Sequence, residues 1–174
     1  LRSAGHSAPT RRPTVPTAVR ELIAEARRNR LFLAIMASIA LIEVLGFSHM
    51  VLLPSIARDV LKVGVDGLGV MNAVASLGGI VGTLFLTTWG AGRRGGQLYL
   101  GGALVFGLAI ALLGHVPLFL LVLAVLALIN SMISVVDIMS QTLMQQAVPN
   151  ELRGRAMGAW MVAIGANPLG ALQI

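Results

Sequence analysis

The sequence predicts an all-α integral membrane protein, a bundle of about five transmembrane helices, and three observations carry that prediction. Hydrophobic residues make up 56% of the 174-residue chain and charged residues only 11%, with a positive mean hydropathy; ordinary soluble domains are less apolar. The apolar residues fall in runs of about 20, the length that crosses a bilayer. The basic residues gather in the connections between those runs. The chain contains no cysteine, which excludes disulfides, thiolate metal sites and cysteine nucleophiles. His6, His49 and His115 lack metal-ligand spacing, so neither a metal nor a cofactor is expected.

Residues 1–16, rich in Pro, Ser, Thr and Arg, read as a disordered linker. Over 17–30, Val19, Leu22, Ile23 and Ala26 recur at i, i+3, i+4 and i+7, with Arg20, Glu21, Arg27 and Arg28 between them. That pattern predicts a short amphipathic helix lying on the membrane surface. The transmembrane bundle occupies 31–174. Its first span covers 31–53 and is expected to stop at Pro54, because proline has no N–H to donate and its ring crowds the preceding turn. Further spans are expected at 67–90, 98–114 and 118–147, and a last one, cut short, from about 155 to 174. Gly78 and Gly82 on the second span, and Ala103, Gly107 and Ala111 on the third, permit close backbone approach and are expected to pack against neighbouring helices. The small polar series Asn72, Ser76, Gly79, Thr83 and Thr87 reads as a packing stripe as well. Ser48 and His49, near a helix end, read as interfacial.

Charge placement gives an orientation, because short loops rich in Lys and Arg stay in the cytoplasm. Seven arginines precede the first span, Arg93 and Arg94 lie between the second and third, and Arg153 and Arg155 lie between the fourth and fifth. The opposite connections carry only Arg58 and Lys62, offset by Asp59 and Asp66, and the tight turn at 114–117. A multi-pass protein of the cell membrane with a cytoplasmic N-terminus follows. The net charge of +6 then faces anionic lipid headgroups, at about 1 kcal/mol per basic residue near the surface, and nucleic acid is not an expected partner.

Two acids inside apolar spans, Glu43 and Asp137, are the leading candidates for chemistry. A mid-membrane carboxylate costs roughly 2.5 to 3.5 kcal/mol, while the thirteen Leu, Ile, Val and Phe residues of 31–53 offset roughly 4 to 8 kcal/mol. Counted at about 1.5 Å per residue, Glu43 lies about 18 Å from Leu31 and Asp137 about 15 Å from Ala147, so the two share a similar depth. Two readings stand side by side: an interhelical hydrogen bond or ion pair, and a role in binding protons or a cationic substrate. Asn130, Ser134, Asp137, Gln141 and Gln145 are spaced by four, three, four and four, and form one polar stripe on the fourth span. Such a stripe lines a water-filled pathway or packs against other helices, and five polar groups in line favour the pathway.

Gln145, Gln146, Pro149, Glu151, Arg153, Gly154 and Arg155, followed by Gly158, Gly165, Pro168, Leu169 and Gly170, resemble the loop and helix leading into the eleventh span of major facilitator superfamily transporters. The resemblance is to the branch that contains siderophore and macrolide exporters. Arg20 to Leu33 is similar to the central cytoplasmic loop entering the seventh span. The glycine-rich loop at 90–95 resembles the second-half copy of the family's basic loop motif, without its Asp. The resemblance implies helices 7 to 11 of a 12-helix fold, whose two halves rock about a central site. It implies proton-coupled export of a small amphiphilic molecule, with the N-terminal half of the same transporter and the lipid bilayer as partners. Glu43 and Asp137 would then carry protons or substrate, with Asn130, Ser134 and Gln141 as hydrogen-bonding lining.

Two other classes remain open on the residues alone. A non-transporting assembly module or remnant half-transporter would use the same carboxylates structurally. A membrane-embedded enzyme would need a nucleophile with its base, or a metal cluster, at helical spacing; neither is found, and no enzyme is expected.

Overall fold

The computed structural model describes residues 29–46, 48–89, 94–148, 150 and 153–164. The linker expected at 1–16 and most of the surface helix expected at 17–30 lie outside these residues. The described chain is helical: α1 (Arg30–Gly46), α2 (Ser48–Ser55), a π-helical turn (Ile56–Val60), α3 (Gly64–Trp89), α4 (Gly95–Leu113), α5 (Phe119–Ala147) and α6 (Arg153–Ile164). Four stretches are long and apolar enough to cross a membrane: Arg30–Val60, Gly64–Thr88, Gly95–Leu113 and Phe119–Ala147.

The first span differs from its expected end. Helix continues through Pro54, inside α2, into the π-helical turn. There Leu61 N–H donates to Ile56 O at 2.9 Å and Val63 N–H to Ala57 O at 3.0 Å, a wider winding that follows the proline. The segment stops at Lys62 and Gly64, whose φ of 53° and 65° are left-handed and cannot extend a right-handed helix.

Packing centres on α5, which is covered by α3 on one side and α4 on another. Met71, Ala75, Gly78, Gly82 and Leu86 recur every three or four residues and form the buried face of α3. Of the stripe expected to pack, Gly79 is half-buried against Ser134 of α5, while Asn72, Ser76, Thr83 and Thr87 are exposed in the described chain. These groups donate to backbone carbonyls of their own helix, as Ser76 does to Asn72 O at 2.9 Å and Thr83 to Gly79 O at 3.0 Å.

Three apolar clusters hold the bundle together. One joins Leu53, Met71, Phe106 and Leu126; a second joins Phe32, Ile35, Ile39, Met144 and Trp160; a third joins Leu86, Tyr99, Val136 and Met139. The outward faces are apolar too, with Leu84, Leu104, Leu108 and Leu120 exposed, as lipid-facing helices require.

Three helix ends meet at one end of the bundle. Asn29 accepts from Phe32 N–H at 3.1 Å, capping α1, and donates through Nδ2 to Ala147 O at 2.8 Å, the last residue of α5. Arg153, opening α6, donates through Nε to Gln145 O at 3.0 Å and satisfies a terminal carbonyl of α5.

Candidate functional site

The face of α1 that packs inward carries Phe32, Ile35, Ile39 and Glu43, spaced by three, four and four. Glu43 is therefore buried, at 5% exposure, because it shares the stripe that seats α1, while Leu31, Leu33 and Leu41 turn outward. Asp137 is half-buried on α5. Glu43 and Asp137 thus stand on two helices, α1 and α5, that pack against each other. Below Asp137, Ser140 donates to Asp137 O at 2.7 Å and accepts from Trp160 Nε1 at 3.4 Å. Helix α6 is thereby tied to α5 one turn from the carboxylate.

The polar stripe of α5 meets a different neighbour at each turn. Asn130, Ser134, Gln141 and Gln145 are all half-buried. Asn130 donates to Leu126 O at 3.0 Å, and its side chain lines a pocket with residues of α2 and α3. Ser134 faces α3, where a Cβ added at Gly79 would lie 3.3 Å from its Oγ. Gln145 donates through Nε2 to Met157 Sδ of α6 at 3.4 Å.

A Cβ added at Gly78 would collide with the carbonyl oxygen of Ala127 and lie 2.7 Å from its Cα; at Gly82 it would collide in the same way at Ser131, 2.8 Å from Cα. At Gly107, expected to pack alongside them, a Cβ would meet no atom within 4 Å, so this glycine permits no close approach among the described residues. Of the loop motif, Arg153 caps α5 and Gly154 is exposed, while Pro149, Glu151 and the side chain of Arg155 lie outside the described residues.

A cavity of about 520 Å³ lies between α1, α4 and α5, lined mostly by apolar residues such as Leu31, Ile35, Leu100 and Leu143. The hydroxyls of Ser38 and Tyr99, 2.7 Å apart, form its polar edge, and neither carboxylate is part of its lining. Sequence spacing does not single out His49, which is 4% exposed and belongs to the Asn130 pocket. Its one available signal was a histidine inside an apolar run six residues beyond Glu43.

Comparison with known proteins adds the following. The model of the family described as Major Facilitator Superfamily matches residues 1–170. The enterobactin exporter EntS of Shigella flexneri is 32% identical over 129 residues, 71% of this chain and 31% of that protein. EntS of Escherichia coli O139:H28 (strain E24377A / ETEC) is 32% identical over 128 residues, 70% of this chain and 30% of that protein, and EntS of Escherichia coli O9:H4 (strain HS) stands at the same values. The chain thus spans about three-tenths of the length of these relatives. No solved structure matches it significantly.

Proposed function

The chain belongs to the Major Facilitator Superfamily, and from that premise we propose that it forms one wall of a secondary transporter that exports a small amphiphilic molecule of the siderophore or drug class by proton coupling. The exporters among its relatives support the direction and the substrate class. The N-terminal half of the same transporter is the partner that completes the central site, and the helices cross the cell membrane with their N-terminus in the cytoplasm. Such a protein translocates its substrate and is not an enzyme.

One observation supports the coupling: Glu43 is buried on α1, and Asp137 is half-buried on α5, the helix against which α1 packs. Two carboxylate charges within one low-dielectric bundle cost more than one. Uptake and release of a proton by the pair therefore changes the energy of the site, and alternating access to the two sides converts that change into work. Ser134, Asn130 and Gln141 line the same face of α5 and supply hydrogen bonds to a substrate or to water. Seating by Ser140 and Trp160 keeps the Asp137 backbone in place through the cycle.

The test is flux in proteoliposomes carrying the full gene product under an imposed pH gradient. Asp137→Asn and Glu43→Gln are each expected to abolish proton-driven export while the protein still inserts and melts as a folded species. Undiminished flux in both variants removes the pair from the mechanism, and absence of flux in the parent protein favours a non-transporting assembly module.

A further inference from the structure

A second polar site lies between α2, α3 and α5: a pocket of about 170 Å³ lined by His49, Met50, Leu53, Asn72, Ala75, Ser76, Leu126 and Asn130, of which four side chains are polar and none is charged. Along α5, Asn130 stands seven residues, or about 10 Å, before Asp137, toward the end away from Arg153.

The hydrogen bonds within this pocket leave it short of donors. His49 directs Nδ1 to the carbonyl of Gly46, which can only accept, so in the neutral imidazole Nδ1 carries the proton and Nε2 a lone pair. His49 is 4% exposed, its ring meets Phe106 edge-on at 6.4 Å, and its one hydrogen bond among the described residues is through Nδ1; no buried side-chain nitrogen or oxygen there lacks a partner, so Nε2 opens onto the pocket. Asn72 Nδ2 donates to Leu68 O at 3.0 Å and Asn130 Nδ2 to Leu126 O at 3.0 Å, and Ser76 gives its hydroxyl proton to Asn72 O at 2.9 Å. What remains is a set of acceptors, namely His49 Nε2, the two amide Oδ1 atoms and Ser76 Oγ, against one spare N–H on each asparagine. Met50, Leu53, Ala75 and Leu126 supply an apolar wall. An apolar cavity of about 150 Å³ is large enough for one benzene ring.

We propose that the His49 pocket is a binding subsite for a neutral ring bearing hydroxyl groups, which donate to His49 Nε2 and to Asn72 and Asn130 Oδ1 while the ring lies on the apolar wall. An ammonium group fits the acceptors less well, because no carboxylate lines the pocket to offset its charge. In a transporter the pocket would line the path of the cargo. That role rests on the transport reading, but occupancy of the pocket does not.

The experiment uses the full protein in lipid nanodiscs, labelled with ¹⁵N-histidine, and titrates it with phenol, toluene and benzylammonium in turn. The resonances of His6, His49 and His115 are separated by substitution, with His49→Gln identifying its own. Phenol is expected to shift the His49 Nε2 resonance saturably, whereas toluene and benzylammonium leave it in place. Asn72→Leu, on an exposed face of α3 and tolerable to the fold, is expected to weaken phenol binding by about threefold to tenfold, the worth of one neutral hydrogen bond. An equal shift by toluene, tighter binding of benzylammonium, or an unchanged phenol midpoint in Asn72→Leu each overturns the proposal. Loss of export with phenol binding intact counts against the transport reading alone, and export without a phenol response counts against the subsite alone.

Discussion

At Gly78 and Gly82 the absence of a side chain lets α3 lie directly on the backbone of α5 at Ala127 and Ser131. The obstacle to any larger residue is main chain, which cannot step aside as a flexible side chain can. Gly78→Ala is therefore expected to destabilise the bundle by about 1 to 3 kcal/mol, as overpacking does, whereas Gly107→Ala stays within about 0.5 kcal/mol of the parent. Thermal unfolding in detergent checks both, and equal effects of the two substitutions would contradict the packing described. Glycines on an apolar helix are legible in a sequence, but which of them meets a neighbour is not. Gly78 and Gly107 look alike until a second backbone lies against one and, among the described residues, no atom lies within 4 Å of a Cβ at the other. Glu43 and His49 show the same limit: each is a polar residue in an apolar run, and only the direction each faces separates a carboxylate on the stripe that seats α1 from an imidazole lining a pocket with α3 and α5.

Among the elements, α1 and α5 are joined at their ends by a single side chain. Asn29 caps the first turn of α1 and also binds the terminal carbonyl of α5, so it satisfies one orphan group on each helix. Asn29→Ala is expected to cost about 1 to 2 kcal/mol and to speed amide exchange at Phe32, while Asn29→Asp, which keeps the acceptor for Phe32 but sets a carboxylate against the Ala147 carbonyl, protects Phe32 without restoring the lost stability. Hydrogen exchange followed by mass spectrometry reads both, and unaltered exchange at Phe32 in the alanine variant would remove the cap from the account. Helical spacing makes the spans themselves readable, because a run of apolar residues in lipid has to close its hydrogen bonds locally. Less readable is what proline does at a span's end. Pro54 removes one N–H, yet the chain answers with a π-helical turn that carries the winding on to Val60 instead of ending it. The small polar stripe of α3 is read only in part for a related reason: its hydroxyls and amide bond to carbonyls of their own helix, so among the described residues Thr83 and Thr87 stay exposed while Gly79 meets α5.

For the molecule as a whole, Arg30, Arg94 and Arg153 open α1, precede α4 and open α6, and the capping contacts of Asn29 and Arg153 gather two of these ends at the foot of α5. Because the chain has no cysteine, single cysteines introduced at Arg94 and Arg153 give an unambiguous topology test. Both are expected to react with an impermeant maleimide only from the cytoplasmic side of oriented vesicles; labelling from opposite sides would refute the orientation proposed. Hydrophobic runs, arginine-bearing connections and the stripe on α5 are written linearly along the chain, so membrane class, helical architecture and family resemblance are readable without coordinates: each follows from local periodicity and from the cost of leaving polar backbone in lipid. The inward placement of Glu43 on α1 and of Asp137 on α5, the tie of Trp160 to α5 through Ser140, and the assembly of His49, Asn72, Ser76 and Asn130 around one pocket depend on helix rotation and register. These are set by packing between segments far apart in sequence, where a turn of a helix by one residue, about 100°, exchanges an inward group for a lipid-facing one at almost no local cost.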